Sequence, residues 1–323
     1  MKAPKYSIIP KPQKYDVLEG TYTVTNETAV LCVPEFIKAG KYLSDFLKTK
    51  KTANNGAIKF NKDEKIRPEG YILKINSEGI TVSASDENGA FYGAVTLKIM
   101  LMQAKTADGV AVLNGAYIYD YPKYSYRGGM MDESRHFFGV DAVKRALDNM
   151  ALLKLNKFHW HLSDDQGYRI ESEVFPLLNE ISSKRQYEFL GGAEILSKIP
   201  GLQKNGGEYF HYYKKSEIRE IVEYAKNLCI DIIPEIDLPG HTVAILAAYP
   251  ELSCLKGEYE VFCENGITKD ILCAGQEETY EFVENLLTEV CELFPYKYFH
   301  MGGDEASKGH KIWEKECPVC QQK

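Results

Sequence analysis

No stretch of this chain approaches the roughly 18 uninterrupted apolar residues of a membrane span. The opening Met1-Lys2-Ala3-Pro4-Lys5-Tyr6 lacks the apolar core of a secretory leader, so none is expected in this chain. Basic excess is missing as well: 39 Lys and Arg face 46 Asp and Glu, a formal net charge of −7. That balance argues against a nucleic acid or an anionic membrane surface as partner. Internal repeats and low-complexity tracts are absent, which removes solenoids and disordered arrays from consideration. Cysteine is present without pattern, since the eight residues imply no disulfide framework in a chain this large. Cys317-Pro-Val-Cys320 is a lone CxxC with no second pair nearby. Unpaired or disulfide-bonded cysteines are expected there, rather than a zinc or redox centre.

What is present is ordinary globular material, 44% hydrophobic and 26% charged over 323 residues. That length suits a small domain followed by a larger one, or one large barrel. In the first part, Thr21–Thr25 and Ala29–Val33 are expected as strands, and Pro34–Lys48 as a helix beginning on proline. Tyr71–Asn76 and Ile80–Ser85 predict a hairpin around Ser77-Glu78-Gly79, and Asn88–Gln103 predicts a helix. No cluster of chemistry-bearing residues accompanies them. The expectation for residues 1–121 is a small α+β domain with a structural role.

From Tyr121 the pattern becomes strand, loop, helix, repeated. Expected strands are Tyr126–Asp132, Lys157–Ser163, Cys229–Asp237 and the stretch from Tyr298. Expected helices are Asp141–Leu155 with Asp141 as N-cap, Ser216–Asn227 with Ser216 as N-cap, and Glu277–Leu293. Glu171–Tyr213 is too long for an ordinary connection and suggests a substrate-facing insertion. Alternating β and α units imply a parallel sheet, and polar residues crowd the strand ends. The expected fold class is therefore α/β, a (β/α)8 TIM-type barrel over residues 122–323, preceded by the small α+β domain. Only four of eight units can be counted, so about half of the barrel is expected in this chain. An open doubly wound sheet is the structural alternative.

Tyr298-Phe299-His300-Met301-Gly302-Gly303-Asp304-Glu305 carries the sharpest signal. In strand register Tyr298, His300, Gly302 and Asp304 share one face, and the glycines leave room for a ligand near the backbone. Strict alternation sends Asp304 and Glu305 to opposite faces. Both can serve one site only if the strand ends or bulges there, with Asp304 toward the barrel axis.

His300–Glu305 (HMGGDE), with Arg127–Phe138 (RGGMMDESRHFF), His159–Arg169 (HWHLSDDQGYR) and Pro234–Thr242 (PEIDLPGHT), resembles glycoside hydrolase family 20, the β-N-acetylhexosaminidases. The resemblance implies exo-hydrolysis of terminal N-acetylglucosamine or N-acetylgalactosamine from a glycan or glycoconjugate. It implies substrate-assisted chemistry, in which the 2-acetamido carbonyl is the nucleophile. Carried over residue by residue, Glu305 is the acid and then the base, and Asp304 orients the acetamido N–H. Asp237, His241 and Asp164 form a supporting network, in which Asp165 could replace Asp164. Arg135 grips the sugar hydroxyls and His300 joins the substrate-binding set. No cofactor and no metal are implied. An extracytoplasmic setting, whether secreted, periplasmic or lysosomal, is inferred from the substrate alone. The family lines its acetamido pocket with tryptophans that neither Trp160 nor Trp313 matches, so an inactive product is expected for a protein ending at Lys323.

Each residue also has a bland reading. Arg135 could be a structural partner of Asp132 or Glu133, Asp237 and His241 a buried satisfied pair, and Glu235 a core carboxylate. Trp160, opposite His159 and His161, is expected in the core. Two rival functions remain: a metal-dependent barrel hydrolase using His159, His161, Asp237, His241 and His300, and a non-catalytic carbohydrate-binding protein. Gluco versus galacto preference, linkage, aglycone and oligomeric state are not legible.

Overall fold

Alternation in the first third of the chain sets up a sheet. In β4 (Tyr71–Asn76) Tyr71, Leu73 and Ile75 are buried, and in β5 (Gly79–Ala84) Ile80, Val82 and Ala84 are. Period-two burial presses one face of a strand pair against a core. The expected hairpin forms with Asn76 opposite Gly79. The Asn76 side chain fixes its turn by accepting from the N–H groups of Glu78 (3.0 Å) and Gly79 (3.1 Å).

This computed structural model describes residues 6–49, 57–104, 106, 109–185, 209–263, 268, 270–306 and 311–322. Residues 186–208, most of the expected insertion, lie outside them. The chain divides into two units: Met1–Arg127 with Ala146–Asn156 and Ala225–Ile230, and the remainder.

In the first unit β1 (Lys14–Val24), β2 (Ala29–Cys32), β3 (Ala57–Lys62) and β6 (Ala111–Asp120) join the hairpin in a six-stranded sheet, ordered β1-β6-β4-β5-β3-β2. Strands β5, β3 and β2 run parallel and the others antiparallel. Strands β3 and β6 have no counterpart among the sequence expectations. Each is an interior strand whose short pattern becomes a strand because ladders form on both of its edges. The expected helix from Pro34 is split: Pro34–Phe36 is a 3-10 turn, and α1 runs from Ile37 to Leu47. Helix α2 (Glu87–Ala104) starts where Asp86 accepts the N–H of Gly89 at 2.8 Å, and it buries Phe91, Ala94, Val95, Leu97 and Leu101. A Cβ on Gly93 would lie 2.5 Å from Val82 Cγ1, so glycine is what lets this helix approach the sheet. Lys154, 6% exposed, donates to Asp120 Oδ2 and to the Tyr71 hydroxyl, both at 2.9 Å. A buried ammonium is tolerated only with such partners.

In the second unit β7 (Gly128–Asp132), β8 (Lys157–His161) and β9 (Asp231–Glu235) form a parallel sheet with β8 central. Helices α3 (Val140–Leu152), α4 (Lys215–Asn227) and α5 (Glu277–Cys291) separate successive strands in sequence, as βα units require. Asp141 and Ser216 lie inside the first turns of α3 and α4 rather than at their N-caps. Trp160 is fully buried against Tyr213 and Phe294.

The fourth expected strand is reduced to one parallel bridge, His300 against Glu235. Three hydrogen bonds secure it: His300 N–H to Pro234 O (3.0 Å), Ile236 N–H to His300 O (3.2 Å) and Leu238 N–H to Met301 O (3.0 Å). Tyr298 and Met301 are 57% and 47% exposed, so this segment is paired on one edge only among the described residues. Gly302 (φ +63°) and Gly303 (φ +104°) then leave strand geometry altogether.

Candidate active site

Parallel register lines up one row of side chains at the carboxyl ends of the strands. Asp132 pairs with His161, His161 with Glu235, and Glu235 with His300. Residues opposite one another in a parallel ladder project to the same face, so four polar groups converge there. Glu235 is the hub. Its Oε2 lies 2.6 Å from His159 Nε2 and 2.6 Å from His161 Nδ1, and its Oε1 lies 2.9 Å from His300 Nδ1. The rings of His159 and His300 stack with centroids 4.7 Å apart. The core-carboxylate reading of Glu235 is therefore half right: it is buried and satisfied, but by the site itself.

A second tier lies on the loop after β8. His161 Nε2 is 2.9 Å from Asp164 Oδ2, and the same oxygen is 2.6 Å from an Arg135 guanidinium nitrogen. The other terminal nitrogen of Arg135 meets Asp132 Oδ2 at 2.7 Å. Glu133, the alternative partner, instead accepts from the Tyr213 hydroxyl and the Phe138 N–H, both at 2.8 Å. Arg169 locks this loop. Its guanidinium is wholly buried and donates to the carbonyls of Ser134, Gln166, Ser183 and His211 at 2.8–3.2 Å. A Cβ on Gly167 would lie 2.2 Å from that guanidinium, which accounts for glycine in the Asp-Asp-Gln-Gly sequence.

His241, in the left-handed region at φ +52°, joins this tier to the final turn. Its Nδ1 faces Asp165 Oδ2 at 3.1 Å and Asp164 Oδ1 at 3.2 Å, and its Nε2 faces Glu305 Oε2 at 3.0 Å. Both aspartates thus contact the ring, where the sequence reading had offered Asp165 as a replacement for Asp164. Asp165 is held in turn by the Val243 N–H and the Thr268 hydroxyl, each at 3.0 Å. Glu305 reaches His241 because its own backbone is left-handed, φ +54°. That turn settles the adjacent-carboxylate problem: the strand has ended before Asp304.

Gly302 has a different reason than ligand access. A Cβ there would fall 1.8 Å from Asp237 Oδ1, whereas one on Gly303 would meet nothing within 4 Å. Asp237 Oδ1 accepts the Gly303 N–H at 2.8 Å, and its Oδ2 is buried without a hydrogen-bond partner. Asp237 therefore braces the glycine turn instead of bonding His241. Asp304 is exposed, and no hydrogen bond to its carboxylate forms among the described residues; its charge is felt at Asp237.

The electrostatics follow from these contacts. Burial opposes charge on His161, but the Asp164 and Glu235 carboxylates outweigh it and raise the imidazole to about 10. Bonds to Asp164 and Asp165 raise His241 to about 11. Burial pushes Asp164 and Glu235 upward, yet their histidine partners hold both well below the usual carboxylate range. Asp237 is raised to about 6, chiefly by burial, against the Gly303 N–H and the His241 charge. Asp164 and Glu235 are thus held ionised beside two imidazolium ions, and Glu305, nearly half exposed, lies at the open end of the site.

Two triads, His159–Glu235–His300 and Asp164–Asp165–His241, have donor atoms within 4.8 Å of one another. Most of these atoms are already committed. Both nitrogens of His161 and of His241 face carboxylates, which takes two histidines from the metal-hydrolase set. Sequence reasoning named His161 only in the rival metal-hydrolase set and Asp132 only as a structural partner of Arg135, a contact that forms at 2.7 Å. That His161 and Asp132 share one row with Glu235 and His300 is visible only through strand register.

Glycosyl hydrolase family 20, catalytic domain, matches residues 124–323, and domain 2 of that family matches residues 5–121. A beta-hexosaminidase of Porphyromonas gingivalis is 34% identical over 335 residues, 98% of this chain and 40% of the relative. A solved family 20 exo beta-N-acetylglucosaminidase from Vibrio harveyi, in complex with N-acetylglucosamine, superposes with a TM-score of 0.82 at 29% identity, covering 100% of this chain and 50% of that one. A mutant Streptomyces plicatus beta-hexosaminidase in complex with product gives 0.81 at 32% identity, over 99% of this chain and 66% of that one. The α/β, TIM-barrel class with a preceding domain is therefore the fold of this chain. The chain spans about half the length of the curated relatives it matches. No helix among the described residues is long and apolar enough to cross a membrane.

Proposed function

The chain belongs to glycosyl hydrolase family 20, and on that premise we propose that it carries the acid-bearing part of an exo-acting β-N-acetylhexosaminidase. The substrate is a glycan or glycoconjugate ending in N-acetylglucosamine or N-acetylgalactosamine. One observation carries the reading: Glu305 Oε2 lies 3.0 Å from His241 Nε2, and the far side of that ring rests on two buried carboxylates.

Hydrolysis of a glycoside needs a proton delivered to the leaving oxygen and charge stabilisation at the anomeric carbon. Among the described residues, Glu305 is both accessible and held by a buried ring. The charged His241 directs its Nε2–H at Glu305 Oε2 and orients the carboxyl group. As general acid Glu305 gives its proton to the leaving oxygen, and the imidazolium, held by Asp164 and Asp165, steadies the carboxylate left behind. After the leaving group departs, the Glu305 carboxylate takes a proton from water.

Asp304 is the group assigned to orient the acetamido N–H, so that the carbonyl oxygen attacks the anomeric carbon from within the substrate. Arg135 is already fixed by Asp132 and Asp164 but is 37% exposed, leaving donors for vicinal sugar hydroxyls. His300, 46% exposed and anchored through Glu235, is a second sugar contact.

Glu305→Gln, measured with aryl N-acetylglucosaminides of graded leaving-group ability, is the test. Turnover of poor leaving groups should fall about 100- to 10,000-fold while activated ones survive better. Replacing the acetamido by a trifluoroacetamido group should slow cleavage, because its carbonyl is a weaker nucleophile. Equal rates for the two amides, or an indifferent Glu305→Gln variant, would overturn the mechanism.

A further inference from the structure

In sequence Cys317-Pro-Val-Cys320 stands alone, but in the fold it does not. Cys254 and Cys273 come to it from 44 to 66 residues away. The Cys254 and Cys320 sulfurs are 3.7 Å apart, Cys273 and Cys317 3.7 Å, and Cys273 and Cys320 3.6 Å. All four sulfurs lie within 4.8 Å of one another, and all four cysteines are free.

A disulfide needs its sulfurs about 2.05 Å apart. Four thiolates around one ion with metal–sulfur bonds of about 2.3 Å form a tetrahedron with edges of roughly 3.8 Å. The three close pairs match the second spacing. Their surroundings match it too. Cys254, Cys273 and Cys317 are buried with Ile271 and Ile312, and Trp313 and Cys320 pack against them. Trp313 Nε1 donates to the Leu272 carbonyl at 3.1 Å, fixing the strand piece that presents Cys273.

We propose that Cys254, Cys273, Cys317 and Cys320 hold one zinc ion in a closed tetrahedral thiolate site. Four protein ligands leave no open position, so the ion is structural rather than catalytic. Loading is Zn²⁺ plus four thiols giving a tetrathiolate complex of charge −2 and four released protons. The ion ties the segment 311–322, which follows the Glu305 turn, to the antiparallel bridge between Ser253 and Leu272. The Thr268 hydroxyl that holds Asp165 lies between the two cysteines of that loop. The site thus braces the loop that supports His241, independently of which glycoside is cleaved.

The test uses the whole protein, purified without chelator. Plasma mass spectrometry should find about one zinc per chain, released only as about four thiols are titrated with a mercurial reagent. Cobalt replacing the zinc should show thiolate-to-cobalt charge transfer and tetrahedral d–d bands. Cys320→Ser should lose the metal and melt at lower temperature, and Cys320→His should retain it. If Cys320→Ser fails to fold, the wild-type stoichiometry and cobalt spectrum still decide. Zinc absent with freely titrating thiols, iron in its place, or disulfide-linked peptides joining Cys254 to Cys320 and Cys273 to Cys317 would each overturn the proposal.

Discussion

Replacing His241 by glutamine separates what the imidazole does for stability from what it does for Glu305. The side chain is 6% exposed and faces two wholly buried carboxylates at 3.1 and 3.2 Å. Removing one member of a buried, hydrogen-bonded charge cluster costs about 3–5 kcal/mol. Here the lower end applies. Asp164 keeps its 2.6 Å contact with Arg135, and Asp165 keeps the Val243 N–H and the Thr268 hydroxyl. His241→Gln should therefore lose about 3 kcal/mol in denaturant unfolding. The effect on chemistry is separate. Loss of an orienting partner costs 10- to 100-fold, about 1.4–2.7 kcal/mol on the barrier. The assay is kcat/KM on a poor-leaving-group substrate for wild type, His241→Gln, Glu305→Gln and the double variant. If the imidazole acts only through Glu305, its kinetic penalty should vanish in the Glu305→Gln background. Additive losses would refute the coupling, and an unchanged His241→Gln enzyme would refute the role.

Gly302→Ala places a Cβ 1.8 Å from Asp237 Oδ1, so it should destabilise far more than Gly303→Ala, whose Cβ meets nothing. For Gly303 only the left-handed strain of about 1–2 kcal/mol applies; equal losses in thermal melts would contradict the turn geometry. Lys154→Met takes the cation from the buried Asp120 carboxylate, which keeps the Tyr71 hydroxyl and the Gln13 N–H, at a cost of about 3 kcal/mol. Lys154→Met with Asp120→Leu should recover much of it, and no recovery would mean the pair is not the cause. Stability should peak in mildly acidic solution. His161 and His241, raised to about 10 and 11, stabilise fully below about 6.5 and lose that contribution as pH rises through those values. Asp237, raised to about 6, contributes most below about 3.9 and loses it as pH climbs to 6. Asp164 and Glu235, held low, contribute above about 4 and lose it as pH falls further. A denaturation midpoint that rises steadily from pH 5 to 8 would refute this balance.

Much of the site was legible because its residues lie in short local motifs at strand ends. Arg135, Asp164, Asp237, His241, His300, Asp304 and Glu305 were all named, and the contacts His241–Glu305 and Arg135–Asp164 bring four of them together. Three things were misread. Gly302 was taken as space for a ligand, although it makes room for Asp237. Glu235 was read as a core carboxylate, which is right about its burial but missed that three histidines meet on it. The last strand was drawn as a full element, although it is a single bridge ended by two left-handed glycines.

The sequence by itself placed carboxylates, histidines and glycines in short motifs at strand ends, and the class of chemistry came from the resemblance of those motifs to glycoside hydrolase family 20. The sequence also determined the alternation that buries Trp160 and turns His159 and His161 inward. Tertiary structure alone decided which carboxylate partners which ring, since Asp132, His161, Glu235 and His300 meet only through parallel register between separate strands. The same holds for the four cysteines. Cys317-Pro-Val-Cys320 says nothing about Cys254 and Cys273, because closure of a long loop is a property of the fold and not of neighbouring residues.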